Sequence, residues 1–179
     1  MGNELLFVTI VDVGALKSIF SSITCSNRVE WERILPTVVE VIVVKNVCCY
    51  EEPIESLDLS GYVKLRDLAI GDYCFDMVKE LKLIRMNELE SVVIGEYSFV
   101  KHPYDLENDG RDDKRHFYLK NCPKLRELKV GPWSFADYSV CEIENVNALE
   151  VIEMGDLLEK SRNFAYASLE LKSILIHNE

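Results

Sequence analysis

Four glycines occupy the same place in four copies of one short phrase. The copies are residues 65–75 (LRDLAIGDYCF), 89–99 (LESVVIGEYSF), 125–135 (LRELKVGPWSF) and 149–158 (LEVIEMGDLL). Their glycines, Gly71, Gly95, Gly131 and Gly155, are 24, 36 and 24 residues apart. Self-similarity at a period of roughly 20–50 residues is the sequence signature of repeat architectures, so this spacing predicts a stacked repeat protein.

Each unit also holds two short segments in which apolar residues alternate with other residues. The first set is 57–59 (LDL), 81–83 (LKL), 117–119 (FYL), 141–143 (CEI) and 169–171 (LEL), and the second is 68–70 (LAI), 92–94 (VVI), 128–130 (LKV) and 152–154 (IEM). This alternation is typical of half-buried strands. Because equivalent strands of successive units run the same way, the pattern predicts parallel ladders whose apolar sides are covered by neighbouring units.

The glycine follows the second strand, where the chain has to turn inward. We expect glycine there because it adopts backbone angles that other residues avoid. Phe75, Phe99 and Phe135 each lie four residues after a glycine, which predicts a buried column of rings. The fourth copy breaks this spacing, since Phe164 lies nine residues after Gly155.

The first third of the chain matches the template less well. Residues 8–19 fit it, and residues 42–44 (IVV) fit half of it. Between them, residues 26–35 (SNRVEWERIL) predict a short helix, with Ser26 as the N-cap and Pro36 as the stop. We therefore predict an interrupted repeat region over residues 1–53, followed by a continuous repeat region over residues 54–179 with an insertion near residues 100–114.

The repeated phrase, isoleucine and glycine followed by a small residue and phenylalanine, resembles the BspA-type leucine-rich repeat. Residues 119–130 (LKNCPKLRELKV) are also similar to the wider leucine-rich-repeat phrase. The resemblance covers residues 54–176 well and the first 50 residues weakly. It implies a mostly β, open leucine-rich-repeat-like solenoid with parallel strand ladders and little helix. It also implies a role in adhesion or protein–protein contact.

Composition narrows the classes of partner. The formal net charge is −11, from 31 acidic and 20 basic residues, whereas nucleic acids and anionic membranes select basic surfaces. We therefore expect neither as a partner. No stretch reaches the roughly 18 apolar residues of a membrane span, and residues 5–11 (LLFVTIV) lack the basic segment and cleavage site of a signal peptide.

The six cysteines indicate a reducing compartment, and so favour a cytoplasmic location. Three occupy repeat positions that other copies fill with small or apolar residues, namely Cys74, Cys122 and Cys141. A cysteine in such a place is most simply a small core residue. The adjacent Cys48 and Cys49 suit neither a simple metal site nor a relaxed disulfide, so we expect free thiols.

Two sets of side chains are candidates for binding. Tyr73, Tyr97 and Trp133 lie two residues after their glycines, and the small residues that follow them predict that these aromatics point outward in one row. Large aromatics are frequent in binding hot spots, although such a row can also pack mainly on itself. The other set lies in the middle of the first strands, where the charges are mixed and are most simply a solvated face: Lys82, Tyr118 and Glu142.

The insertion contains residues 105–113 (DLENDGRDD), which match the first half of an EF-hand loop. The twelfth position of that loop requires a bidentate glutamate, and here it is His116. We therefore expect an acidic surface loop and no metal site.

Nothing in the sequence predicts catalysis or a cofactor. The three histidines have no supporting nucleophile nearby, and there is no glycine-rich phosphate loop. We therefore expect a non-catalytic protein–protein interaction module. Two alternatives stay open, namely a fragment of a surface adhesin and a substrate-receptor adaptor of a ubiquitin ligase. The sequence leaves the oligomeric state and the identity of the partner undetermined.

Overall fold

The computed structural model describes residues 22–50, 53–101, 110–156 and 161–173. In chain order, the elements are β1 Ser22–Cys25, α1 Arg28–Glu32, β2 Val41–Val44, β3 Ser56–Asp58, β4 Asp67–Ile70, β5 Glu80–Ile84, β6 Ser91–Ile94, β7 Asp112–Lys120, β8 Glu127–Val130, β9 Tyr138–Glu144, β10 Val151–Met154 and β11 Ser168–Lys172. The expectation of a mostly β chain with parallel ladders and little helix is confirmed. The template match at residues 8–19 lies outside the described residues.

Over these ranges the strands form two parallel sheets. Sheet 1 has the order β1-β2-β4-β6-β8-β10, and sheet 2 has the order β3-β5-β7-β9-β11. From β2 onward the chain alternates between the sheets, so from β4 onward each strand pairs with the strand two positions earlier. Equivalent template residues lie in register, for example Leu68 beside Val92 and Leu81 beside Phe117. Sheet 1 also spans the predicted boundary between residues 53 and 54, because β2 pairs with β4.

The core lies between the two sheets. In strands β2 to β9, alternate residues point inward and are buried, as the period of two predicts. In β4 these are Leu68 and Ile70, and in β5 they are Leu81 and Leu83. The residues between them face outward on both sheets, which makes the two outer faces the first surfaces to consider for binding.

The start of the described chain departs from the alternation. β1 and β2 are neighbours in sheet 1, and α1 takes the place that a sheet 2 strand would have between them. Trp31 of α1 is buried against Tyr62 and Phe75, with ring centroids 6.4 and 5.2 Å away. The short helix is confirmed, but its N-cap is Asn27 rather than Ser26, because the Asn27 side chain accepts the N–H of Glu30. Strand β1 was not predicted.

The insertion ends in an extended strand. β7 has nine residues, and its pairing with β9 shifts between Asp112 and His116, where the chain bulges. The extra length is thus absorbed before the template residue Phe117, which stays in register with Leu81 and Cys141.

Candidate functional site

The turns that follow β4, β6 and β8 each place one aromatic ring outward and a second one inward. Both residues have left-handed backbone conformations, with φ of 56° at Tyr73 and 56° at Phe75, and of 50° at Tyr97 and 56° at Phe99. Such angles cost an ordinary residue about 1–2 kcal/mol. Hydrogen bonds between successive turns offset that cost, since the N–H of Tyr73 donates to Glu96 O at 2.9 Å and the N–H of Phe99 donates to Cys74 O at 2.8 Å.

The glycines serve a purpose different from the predicted one. Of the four, Gly155 alone has a left-handed φ, of 77°, so the expectation of unusual backbone angles is wrong for Gly71, Gly95 and Gly131. These three are needed because successive turns approach closely. A Cβ on Gly95 would lie 2.6 Å from the carbonyl carbon of Gly71, and a Cβ on Gly131 would lie 2.6 Å from that of Gly95. Real Cβ atoms essentially never show contacts this short.

The inward rings form the predicted buried column. Phe75, Phe99 and Phe135 are fully buried, and their centroids are 5.5 and 4.8 Å apart. Phe164 continues the column on Phe135 at 4.9 Å with an interplanar angle of 6°. The broken spacing after Gly155 is therefore restored by Phe164, so the extra residues of the fourth copy do not interrupt the column.

The outward rings form an aromatic stripe, by which we mean Tyr73, Tyr97 and Trp133. Their planes are nearly parallel, at 9° and 7°, and their centroids are 5.1 and 6.0 Å apart. Tyr73 is 43% exposed, and the other two are half-buried. The predicted row thus exists, and its rings also stack on one another, so it presents ring edges along its length.

Both ends of the stripe were missed by the sequence interpretation. At one end the guanidinium of Arg162 lies over the Trp133 ring, 5.3 Å from its centroid. At the other, the exposed Val47 has the same left-handed conformation, and its N–H donates to Asp72 O. The sequence did contain a signal for Arg162. It lies two residues before Phe164, which is the same spacing as that between Trp133 and Phe135.

A ladder of small polar side chains supports the stripe from beneath. The Ser98 hydroxyl donates to Gly71 O at 2.8 Å and accepts the N–H of Cys74 at 3.0 Å. Ser134 repeats this arrangement one turn later, donating to Gly95 O at 2.6 Å and accepting the N–H of Ser98 at 2.9 Å. These residues are buried as predicted, and their hydrogen bonds join each turn to the next beneath the stripe.

The second candidate set lies in register across the outer face of sheet 2. Lys82 is beside Tyr118, which is beside Glu142. Each is already engaged, because Lys82 donates to Glu80 at 2.8 Å, Tyr118 contacts His116 Nδ1 at 3.1 Å, and Glu142 accepts from Lys120.

The contacts on this outer face of sheet 2 also shift the pKa values of three side chains. The hydrogen bond to Glu80 raises the pKa of Lys82, and the one to Glu142 raises the pKa of Lys120. Desolvation, followed by the charge of Glu142, raises the pKa of Tyr118. Lys82 and Lys120 therefore stay charged near neutral pH, and Tyr118 stays neutral.

A buried ion pair lies beside the insertion. Arg115 and Asp137 are almost fully buried, with Arg115 Nη1 3.2 Å from Asp137 Oδ2. Asp137 also accepts the N–H of Lys101, and its carbonyl accepts the N–H of Asp112, so it holds the chain on both sides of the insertion. Burial raises the pKa of Asp137 to about 6 despite the opposing charge of Arg115. The sequence offered no signal for this pair beyond two charges in a repeat region.

The described residues contain no group of three or more His, Cys, Asp or Glu side chains arranged to hold a metal ion. Residues 105–109 of the EF-hand-like segment lie outside the described ranges. His116, at its twelfth position, lies in β7 and contacts Asp113 O and the Tyr118 hydroxyl.

All six cysteines are buried and free, as expected. Burial raises the pKa of Cys74 to about 12 and that of Cys141 to about 12, so these thiols stay protonated. Cys48 and Cys49 are in contact, with their sulfurs 3.4 Å apart.

Within the described part of the chain, no helix has the length and apolarity that crossing a bilayer requires. Comparison with protein-family models, with curated proteins and with solved structures gave no significant match.

Proposed function

We propose that this chain is a non-catalytic protein–protein interaction module of the leucine-rich-repeat kind, an open solenoid that binds its partner through the aromatic stripe. One observation carries the assignment to this surface. Tyr73, Tyr97 and Trp133 stand in a single partly exposed row with parallel planes. Tyrosine and tryptophan contribute large contact area with few rotatable bonds, and contiguous exposed aromatics commonly mark interaction sites.

The internal packing of the stripe supports this choice. Its side chains are fixed by stacking, by left-handed backbone angles and by the ladder of Ser98 and Ser134 beneath it. A surface that is already ordered loses little conformational freedom on binding.

The outer face of sheet 2 is the weaker candidate. Lys82, Tyr118 and Glu142 each have a partner within the chain. A protein that bound there would have to break or bury those pairs, and desolvating paired charges is often no net gain.

The charge around the stripe favours a basic partner. Asp72 and Glu96 immediately precede Tyr73 and Tyr97, and the whole chain carries a net charge of −11. Arginine stacks on aromatic faces, as Arg162 does on Trp133 within this chain. We therefore expect the partner to present one arginine side chain to the face of the Tyr73 ring and others to the carboxylates of Asp72 and Glu96.

The experiment uses a fluorescein-labelled deca-arginine peptide as a defined probe and native lysate as the source of partners. Tyr73→Ser, Tyr97→Ser and Trp133→Ser are combined in one stripe variant, which keeps the net charge of the wild type. Lys82→Ala, Tyr118→Ala and Glu142→Ala form a matched triple variant on sheet 2. Circular dichroism and urea unfolding establish that both variants fold.

We expect the stripe variant to bind the peptide at least about tenfold more weakly and to lose the proteins captured from lysate, while the sheet 2 variant keeps both. Equal peptide affinity in the wild type and the stripe variant would show that charge alone drives the contact. Loss of captured partners in the sheet 2 variant only would move the binding site to that face.

A further inference from the structure

Two adjacent cysteines lie in the turn that follows β2. Counted from the register of β2 with β4, Cys48 is the equivalent of Cys74, and Cys49 is the equivalent of Phe75. Cys49 and Phe75 also share a left-handed backbone, with φ of 56° at both. A thiol thus stands where the later turns place a ring of the buried column. The second thiol stands beside it, in the place of the ladder of small polar side chains.

The sulfur of Cys48 has a different partner from the equivalent atoms of the later turns. The Cys74 sulfur donates to Lys45 O at 3.2 Å, in the turn before it, and the ladder repeats this contact at the next two turns. After β1 the chain forms α1 in place of such a turn. The Cys48 sulfur is hydrogen-bonded with the sulfur of Cys49, 3.4 Å away.

This contact makes the pair easier to deprotonate than the neighbouring thiols. The hydrogen bond from Cys49 lowers the pKa of Cys48 below its ordinary 9.0, although burial and the charge of Glu30 oppose this shift. Burial raises the pKa of Cys25 to about 11 and that of Cys74 to about 12. Since the thiolate is the nucleophilic form of cysteine, an electrophile finds its most reactive sulfur in the pair.

The geometry of the pair suits a bond that forms and breaks easily. Neighbouring Cα atoms are about 3.8 Å apart across a trans peptide, whereas ordinary disulfides join Cα atoms about 4.4–6.8 Å apart. A bond between Cys48 and Cys49 would therefore be strained, and strained disulfides are the reducible, regulatory ones. The two sulfurs would have to close from 3.4 Å to about 2.05 Å, a movement within a single turn.

We propose that Cys48 and Cys49 form a reversible redox site, which hydrogen peroxide oxidises to a disulfide between the two neighbouring residues and a small dithiol reduces again. The size of the reagents follows from burial, because Cys48 is fully buried and Cys49 is 4% exposed. Hydrogen peroxide is little larger than water, whereas an oxidant that is itself a protein does not reach sulfurs at this depth.

The oxidation uses one thiolate, one thiol and one peroxide. The proton that stays on the pair lies between the two sulfurs, so it can transfer from Cys49 to Cys48. The less buried Cys49 thiolate attacks one peroxide oxygen, the O–O bond breaks, and the leaving hydroxide takes the Cys48 proton to form water. The Cys48 thiolate then attacks the sulfur of the Cys49 sulfenic acid, the S–O bond breaks, and hydroxide leaves. Two electrons thus pass from the sulfurs to the peroxide, and a dithiol returns them by thiol–disulfide exchange.

The test is mass spectrometry of the full chain. The folded protein is treated with hydrogen peroxide, its remaining thiols are alkylated in denaturant, and it is digested with trypsin. Cleavage after Lys45 and Lys64 releases residues 46–64, which contain both cysteines of the pair, while each other cysteine lies in a separate peptide. We expect residues 46–64 to lose two hydrogens and escape alkylation at a peroxide concentration at least about tenfold below that which oxidises any other cysteine. Dithiothreitol should restore both thiols.

Two serine variants form a matched pair. Cys48→Ser removes one sulfur of the site, and Ser98 and Ser134 show that serine fits this place in a turn. Cys74→Ser makes the same change at the equivalent place one turn later and keeps the site intact. We expect Cys74→Ser to form the disulfide as the wild type does. In Cys48→Ser the Cys49 thiol should need at least about tenfold more peroxide to be oxidised.

Four results would overturn the proposal. The first is a peptide of residues 46–64 that stays fully alkylated when other cysteines are already oxidised. The second is a disulfide that joins Cys48 or Cys49 to Cys25 or Cys74. The third is an oxidation of the pair that dithiothreitol does not reverse, and the fourth is equal peroxide sensitivity of Cys49 in the wild type and in Cys48→Ser.

Discussion

The close approach of successive turns at the repeat glycines makes Gly95→Ala a sharp test of the stacking geometry. The added Cβ would lie 2.6 Å from the carbonyl carbon of Gly71 and 2.7 Å from the N atom of Asp72, both backbone atoms that cannot rotate away. Ordinary contact begins at 3.4 Å, so the two turns would have to separate by about 0.8 Å.

That separation has a calculable cost. The N–H of Gly95 donates to Ile70 O at 2.8 Å, the N–H of Glu96 donates to Asp72 Oδ1 at 2.8 Å, and the Ser98 hydroxyl donates to Gly71 O at 2.8 Å. Lengthening each by about 0.8 Å takes it beyond hydrogen-bonding distance. At about 1 kcal/mol for each bond, the loss is about 3 kcal/mol. The smaller conformational freedom of unfolded alanine offsets about 0.4–1 kcal/mol of this.

We therefore expect Gly95→Ala to lower the free energy of unfolding by about 2 kcal/mol, measured by urea denaturation with far-ultraviolet circular dichroism. Gly61→Ala is the matched control, because a Cβ there meets no atom within 4 Å and the residue has no left-handed φ. It should be neutral or stabilising by up to about 1 kcal/mol. If the two variants unfold at the same urea concentration, the close approach does not limit this position and the reasoning fails.

Two further predictions concern the core and the buried ion pair. Phe99→Ala should lower the free energy of unfolding by about 3–5 kcal/mol, because Phe99 is fully buried between Phe75 and Phe135. Urea unfolding measures this loss, and Val63→Ala, at an exposed position, is the control. A loss below about 1 kcal/mol, no greater than that of the control, would show that the Phe99 ring is not part of a buried column. Burial raises the pKa of Asp137 above its ordinary 3.8 to about 6, with Arg115, Asp112 and the Lys101 N–H as its neighbours. The folded chain thus binds this proton more tightly than the unfolded chain. Its contribution to stability is therefore fully present below pH 3.8 and is lost as pH rises through about 6. Stability measured by urea unfolding between pH 4 and 7 should show this decline in the wild type relative to Asp137→Asn, and parallel pH profiles for the two proteins would refute it.

Much of the fold follows from periodicity. The alternation at residues 68–70 and 81–83 predicted inward residues that are buried, and the spacing of Phe75, Phe99 and Phe135 predicted their column. These features are predictable because each depends on a repeated local pattern that has only one way to hide its apolar side. The row of Tyr73, Tyr97 and Trp133 was predictable for the same reason, while its role in binding stays a proposal.

The repeat glycines show where such inference stops. Their positions were evident, but the reason given for them was wrong for Gly71, Gly95 and Gly131, whose backbone angles are ordinary. The left-handed angles lie instead at Tyr73, Phe75 and their equivalents, residues with no intrinsic preference for them. Only the hydrogen bonds and close contacts between turns impose these angles, and those contacts join residues 23 or more positions apart in the chain.

The sequence by itself thus determined the class of structure, the two sets of strands, their parallel pairing and the buried column. It could do so because apolar periodicity is a property of consecutive residues. Only the tertiary structure decided the reasons for the glycines, the return of Phe164 to the column and the cover that Arg162 gives Trp133. The same holds for the burial of Arg115 with Asp137 and the exposure of Leu169 and Leu171. Each of these depends on which layer lies above or below a residue, and a pattern shared by every repeat carries no information about such differences between layers.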